Sequence, residues 1–142
     1  MATYRTEIDS PKSPGEVFEY LATFSNARDW DPSVVEAAAR STGRAEVGSV
    51  YRLDVRTAGR VVPFEYEIVA LDRPHRVVLE ARRAGMVSSD TITVEPLSSG
   101  SRVRYVAVLN LQGLLRVLAP LVERAFAKMA DRAAAGLRRA LA

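Results

Sequence analysis

The chain has 142 residues, 48% of them hydrophobic and 26% charged, which suits one domain with its own core and argues against disorder. It has no cysteine, which excludes disulfides and thiolate zinc sites, and no stretch approaches the roughly 18 apolar residues of a membrane span. The formal net charge is +3 and the pI about 9.6, yet the arginines are interleaved with acids, as in Arg52-Leu53-Asp54 and Glu123-Arg124, and no aromatic–basic ladder occurs, so nucleic acid is not an expected partner.

The N-terminal segment MATYRTEIDS has no apolar run of the kind a signal peptide needs, and the expected location is cytoplasmic. Thr3 to Ser10 reads as a strand with Tyr4, Thr6 and Ile8 on one face. Ser13-Pro14-Gly15-Glu16 fits a capping box, with Ser13 as N-cap, Pro14 at the first helical position and Glu16 reaching back. Val17, Phe18 and Leu21 then form one apolar stripe. A second short helix is expected from Ser25 or Asn26 through Arg28, ending at Trp30-Asp31-Pro32 because the residue before a proline avoids helical dihedrals.

Val34 to Ser41 reads as a strand, although Ala37-Ala38-Ala39 suits a helix equally well. After a turn from Gly43 to Gly48, Ser49 to Thr57 alternates, with Tyr51, Leu53 and Val55 set against Arg52, Asp54 and Arg56. Ala58-Gly59 is a tight hairpin signal. Arg60 to Leu71 continues with Val62, Phe64, Tyr66 and Ile68 on one face, and Pro63 within it implies an edge position or a bulge. Asp72-Arg73-Pro74-His75 is a turn. Strands follow over Arg76 to Arg82, Met86 to Glu95 and Arg102 to Gln112, with a Ser98-Ser99-Gly100 turn before the last. In that strand Val103, Tyr105, Ala107, Leu109 and Leu111 share a face. Beyond Gly113, apolar residues from Leu118 to Leu137 recur at helical spacing. Pro120 should start this helix or kink its first turn, and to Leu141 it would run about 33 Å. There is no internal repeat, low-complexity tract or linker, so one domain over residues 1–142 is expected.

The order itself carries information. A curved antiparallel sheet of about seven strands, with one long helix to cover it, can enclose a cavity, which makes small-molecule binding the leading class of function.

The same order resembles the helix-grip fold of the START-like (SRPBCC) superfamily, an α+β architecture. Stretches similar to its polyketide cyclase/dehydrase and lipid-transport branch are Ser13-Pro14-Gly15-Glu16-Val17-Phe18, Asn26-Ala27-Arg28-Asp29-Trp30-Asp31-Pro32, Val47-Gly48-Ser49, Asp90-Thr91-Ile92-Thr93-Val94 and Gly100-Ser101-Arg102-Val103. The similarity runs from Tyr4 to Leu141. It implies a hydrophobic cavity between the concave sheet face and the C-terminal helix, and it does not imply one activity, since the fold hosts carriers, receptors, cyclases and co-chaperones.

Alternation places Tyr51, Leu53, Phe64, Tyr66, Ile68, Leu79, Met86, Ile92, Tyr105 and Leu109 inward, with Phe126 and Met129 from the helix. Those side chains either line a ligand site or fill a core, and the tyrosine hydroxyls would supply the few placed polar groups that ligand sites carry. Asp90 shares the inward face with Ile92 and Val94. An inward carboxylate needs a partner or a raised pKa, and it could orient a ligand hydroxyl or act as a base. The opposing reading puts Asp90 near a strand end, facing solvent. Trp30, near one mouth of the cavity, would stack on a flat ligand or serve as a packing anchor. The expected ligand-binding set is therefore Trp30, Tyr51, Phe64, Tyr66, Leu79, Asp90, Tyr105, Phe126 and Met129.

The lone His75 has no second imidazole to share a metal. Asp29, Asp31 and Asp72 are scattered loop acids without metal-ligand spacing, and Ser88-Ser89 lacks a histidine base and a nucleophile elbow. No metal or other cofactor is expected. On the outward face Val78, Val106 and Val108 could mark a homodimer contact. A membrane-surface role for the basic side of the long helix, from Arg124 to Arg139, is outweighed by its need to cover the sheet.

The expected function is binding or transport of a lipophilic molecule such as a fatty acid, isoprenoid or polyketide. The alternative is a polyketide aromatase/cyclase or dehydratase using an acid–base pair in the pocket. Relatives with that activity tend to carry a pocket arginine on the strand matching residues 60–71, where this chain has Phe64, Tyr66 and Ile68. A third reading is an interaction module with a filled core.

Overall fold

The computed structural model describes residues 1–57 and 59–142. The strands are β1 (Ala2–Ser10), β2 (Val34–Ala39), β3 (Val50–Thr57), β4 (Arg60–Asp72), β5 (Arg76–Arg83), β6 (Met86–Pro96) and β7 (Ser101–Leu111). They form one antiparallel sheet in the order β1-β7-β6-β5-β4-β3-β2. The helices are α1 (Pro14–Ala22), α2 (Ala27–Trp30, preceded by a 3-10 turn over Phe24–Asn26) and α3 (Ala119–Ala140, preceded by a 3-10 turn over Gly113–Leu118). The sheet bends where one residue breaks the register, between Val34 and Glu36 in β2 and between Ile68 and Ala70 in β4.

Local chemistry sets the boundaries. The Glu16 amide donates to the Ser13 hydroxyl at 3.3 Å and Pro14 opens α1, so the forward half of the capping box is formed. Pro120 lies in the first turn of α3 and starts it without a kink. The strand at Val34 stops at Ala39, two residues short of the expected Ser41. The Ala58-Gly59 hairpin expectation falls partly on Ala58, which lies outside the described residues, while Thr57 pairs with Arg60 on either side of it. Pro63 is a partial correction. The register break in β4 lies elsewhere and the strand is interior, but its pairing with β5 ends at Tyr66, so Pro63 has no ladder bond to lose on that side.

The two faces differ sharply. The convex face is laced with ion pairs, including Arg102 Nε to Asp9 Oδ1 at 2.8 Å, Arg104 Nε to Glu7 Oε2 at 2.8 Å and Arg40 to Glu65 at 2.7 Å. Such exposed pairs each contribute about 1 kcal/mol or less. Val78, Val106 and Val108 are half-buried on that face. On the concave face Ile68, Val77, Leu79, Ile92, Val94 and Val103 are fully buried.

Two helices divide the concave face. At one end Val17, Phe18 and Leu21 of α1 are buried against β6 and β7, each contributing roughly 1.5–3 kcal/mol. That end is solid core. At the other end α3 crosses the face unevenly anchored. Its fully buried residues, Ala134, Gly136 and Leu137, all lie in its C-terminal half. There the backbone of Gly136 rests on the Trp30 carbonyl so closely that a Cβ would collide with it. The Ser10 hydroxyl donates to the Leu141 carbonyl at 2.6 Å and Lys12 Nζ to the Ala140 carbonyl at 3.3 Å. In the N-terminal half Val122, Phe126 and Met129 are only half-buried, because what lies beneath them is empty space.

Candidate functional site

That space is a cavity of about 370 Å³ between α3 and the concave face of β1, β2, β3, β4, β6 and β7, closed at one end by α2. Small-molecule sites run from roughly 300 to 1,000 Å³, so it lies at the small end of that range. Leu121 is part of its wall and 69% exposed, which places the opening at the start of α3. The preceding 3-10 turn carries Leu114 and Val117, 90% and 79% exposed, and seats Leu115 against Gly85 in the β5–β6 turn. Gly85 has φ 85°, a left-handed conformation that favours glycine, and its carbonyl accepts the Gln112 amide at 2.8 Å.

The wall is mostly aliphatic and aromatic, with one polar strip on the sheet. Strand register explains the strip. Ala81 pairs with Tyr66 on one side and Ser88 on the other, and its small side chain lets the Tyr66 ring lean across to Ser88. The Tyr66 hydroxyl and Ser88 Oγ are 3.0 Å apart. One row along, Asp90 pairs with Ala107, and the neighbouring Tyr105 donates its hydroxyl proton to Asp90 Oδ2. Asp90 Oδ1 has no hydrogen-bond partner among the described residues and opens on the cavity.

Burial pushes the Asp90 carboxyl up to about 7; the Tyr105 bond opposes that shift and the charge of Asp31 adds to it. The Tyr105 and Tyr66 hydroxyls are pushed well above the ordinary range, first by burial and then by the Asp90 charge. Tyr66 is half-buried and lines the cavity. Asp31, just beyond α2, is also raised by burial, against the bonds it accepts from the Ser33 amide at 2.9 Å and hydroxyl at 2.7 Å and, last, the nearby Arg132 charge.

Seven of the nine expected site residues meet here: Trp30, Phe64, Tyr66, Asp90, Tyr105, Phe126 and Met129 all line the cavity. Asp90 faces inward and not into bulk solvent, being 8% exposed. Trp30 is both wall and anchor, since it packs edge-on against Tyr105 at 5.8 Å and Phe24 at 6.4 Å while its carbonyl seats Gly136.

Tyr51 and Leu79 do not line the cavity, which corrects that expectation. Both point inward as alternation requires, but they belong to the solid core with Val17, Phe18 and Leu21. Tyr51 lies toward the far rim, near Ser49, Arg73 and Glu19. There Arg73 clamps Glu19 through two bonds of 2.6 and 3.0 Å.

Six polar residues of the wall were not in the expected set: Ser88, Asp31, Ser33, Tyr4, Thr6 and Thr57. Ser88 has the same parity as Asp90 and could have been found from it. Asp31 and Ser33 lie in a loop, where no periodicity reports direction. The Tyr4 hydroxyl reaches Asp131 of α3 at 2.8 Å, a contact across 127 positions.

The fold and its hollow have counterparts among known proteins. A family model described as polyketide cyclase / dehydrase and lipid transport matches residues 1–142. A START superfamily protein from Mycobacterium smegmatis superposes with a TM-score of 0.76 at 14% identity, covering 99% of this chain and 95% of that one. The protein TTHA0849 from Thermus thermophilus gives 0.74 at 17%, covering 96% and 94%. Ginseng major latex-like protein 151 from Panax ginseng gives 0.70 at 10%, covering 99% and 97%. At such identities the likeness is one of fold. No curated protein matches the chain in sequence.

Proposed function

Because the chain belongs to the polyketide cyclase/dehydrase and lipid transport family, we propose that it binds a lipophilic small molecule between the sheet and α3. The observation that carries this reading is the composition of the cavity wall. Apolar side chains from five strands and two helices surround a polar strip of Asp90, Tyr105, Tyr66 and Ser88 on the sheet. A guest gains about 25 cal/mol for each Å² of apolar surface it buries, and the strip fixes which end lies at the sheet.

The test is native mass spectrometry of freshly purified protein, followed by solvent extraction and titration of a lipophilic guest against Trp30 fluorescence. Trp30 is the only tryptophan and part of the wall, so a guest alters its emission directly. Ala107→Leu, which fills the cavity beside Asp90, should abolish the response while leaving the fold intact. A response unchanged by that variant sinks the reading.

A second reading, acid–base chemistry on a polyketide-like chain, is favoured by one observation: Asp90 sits near 7 with a tyrosine donor beside it. The pocket arginine expected of such enzymes is missing from β4, whose cavity-facing residues are Phe64 and Tyr66. Turnover of an enolisable polyketide mimic, lost in Asp90→Asn, would establish it.

A further inference from the structure

The protein is basic overall, with a net charge of +3, but its cavity is not. Among the described residues the wall holds two carboxyl groups, Asp90 and Asp31, and no arginine, lysine or histidine. The cations around it stay outside: Arg138 donates to the hydroxyl of Thr6, a wall residue, at 3.2 Å without itself joining the wall. Arg132 lies close enough to Asp31 to act on it electrostatically without joining the wall. Arg83 stacks over the Phe64 ring at 5.5 Å and is held by the Pro63 carbonyl at 2.6 Å, also off the wall. Asp90 is 8% exposed, has a hydroxyl partner on one oxygen and none on the other, and has no counter-ion among the described residues.

A buried carboxylate without a counter-ion is unfavourable unless something neutralises it. The aromatic wall beside it, Trp30, Tyr105, Tyr66 and Phe24, attracts cations through the faces of the rings. An anionic headgroup would meet two carboxyl groups and no partner of opposite sign.

We infer that the cavity selects an apolar molecule carrying a protonated amine, its nitrogen at Asp90 Oδ1 and its hydrocarbon along Phe126 and Met129. The inference rests on the binding role proposed above and names its ligand class. It sets fatty-acid anions aside. The position of Asp90 near 7 agrees with it, since an ammonium group at Oδ1 favours the ionised form.

Three C12 probes that differ only in the headgroup test this: dodecylammonium, dodecanol and dodecanoate, each titrated at pH 7 below its micelle concentration. An alkylamine is protonated there, as lysine is. Binding is read from Trp30 fluorescence and checked by native mass spectrometry. A charge-assisted hydrogen bond is about twice as strong as a neutral one, so dodecylammonium should bind roughly tenfold tighter than dodecanol, with dodecanoate weakest.

Asp90→Asn should bring dodecylammonium to the level of dodecanol. If that variant does not fold, Asp31→Asn should narrow the same gap by a smaller factor. Dodecanoate binding as tightly as dodecylammonium, or a preference for the amine that survives Asp90→Asn, overturns the ligand class and leaves the binding role standing. Failure of all three probes to bind overturns both.

Discussion

Replacing Asp90 by asparagine tests the electrostatics of the cavity through folding alone. In the fold this carboxyl titrates at about 7, against an ordinary 3.8. Below 3.8 it is protonated in both folded and unfolded chains and makes no difference to stability. Between the two values the unfolded chain ionises while the folded chain holds its proton, so stability falls as pH rises, by up to about 1.36 kcal/mol per pH unit. Above about 7 the loss is complete, and it amounts to about 4 kcal/mol. The asparagine side chain does not titrate and keeps an oxygen for Tyr105. The variant should therefore match the parent near pH 4 and exceed it by about 2–4 kcal/mol at pH 8. The measurement is the urea midpoint of both proteins from about pH 4 to 8 at equal m-value. Shared groups distant from Asp90 cancel in the difference, while Asp31 and Tyr105, which interact with it, add a smaller coupling of their own. Parallel stability curves across that range would refute the argument.

Gly136→Ala should destabilise the protein despite a gain of about 1 kcal/mol in helix propensity, because the added methyl collides with the Trp30 carbonyl; a raised melting temperature would contradict the described seating of α3. Tyr66→Phe leaves Ser88 Oγ without its partner and should cost about 1–2 kcal/mol in a urea melt. Glu19 is held below its usual 4.5, chiefly by the Arg73 guanidinium. Its contribution is present above pH 4.5 and lost as pH falls, so Glu19→Gln should flatten the acid unfolding that sets in below pH 4.5. With Glu19 35% exposed, the effect should stay under about 1 kcal/mol.

Much of the architecture was legible because it rests on periodicity. The two-residue alternation from Tyr51 to Leu111 gives the later strands and their inward faces, and the spacing from Leu118 to Leu137 gives the covering helix. The inward direction of Asp90 followed from the same parity. Alternation says which face a side chain points to, however, and not what covers that face. Tyr51 and Leu79 lie beneath the solid end, and Phe64, Tyr66 and Tyr105 beneath the hollow one. The difference depends on where α1 stops and how α3 is tilted, both set by long-range contacts such as Gly136 on Trp30. The contribution of Asp31 was hidden for another reason. A loop acid reads as solvated unless the chain folds a helix over it.

The uneven anchoring of α3 separates two properties of the cavity. Its floor is a hydrogen-bonded sheet with fixed polar atoms. Its roof is a helix clamped at Gly136 and Leu141 and resting on half-buried side chains toward its start. On the proposed binding role, a longer or bulkier guest would press on the roof, and a different headgroup would meet the polar atoms of the floor. Substitutions along Leu121, Phe126 and Met129 would then retune the shape tolerated without touching the chemistry selected, so the two traits can diverge independently among descendants of this chain.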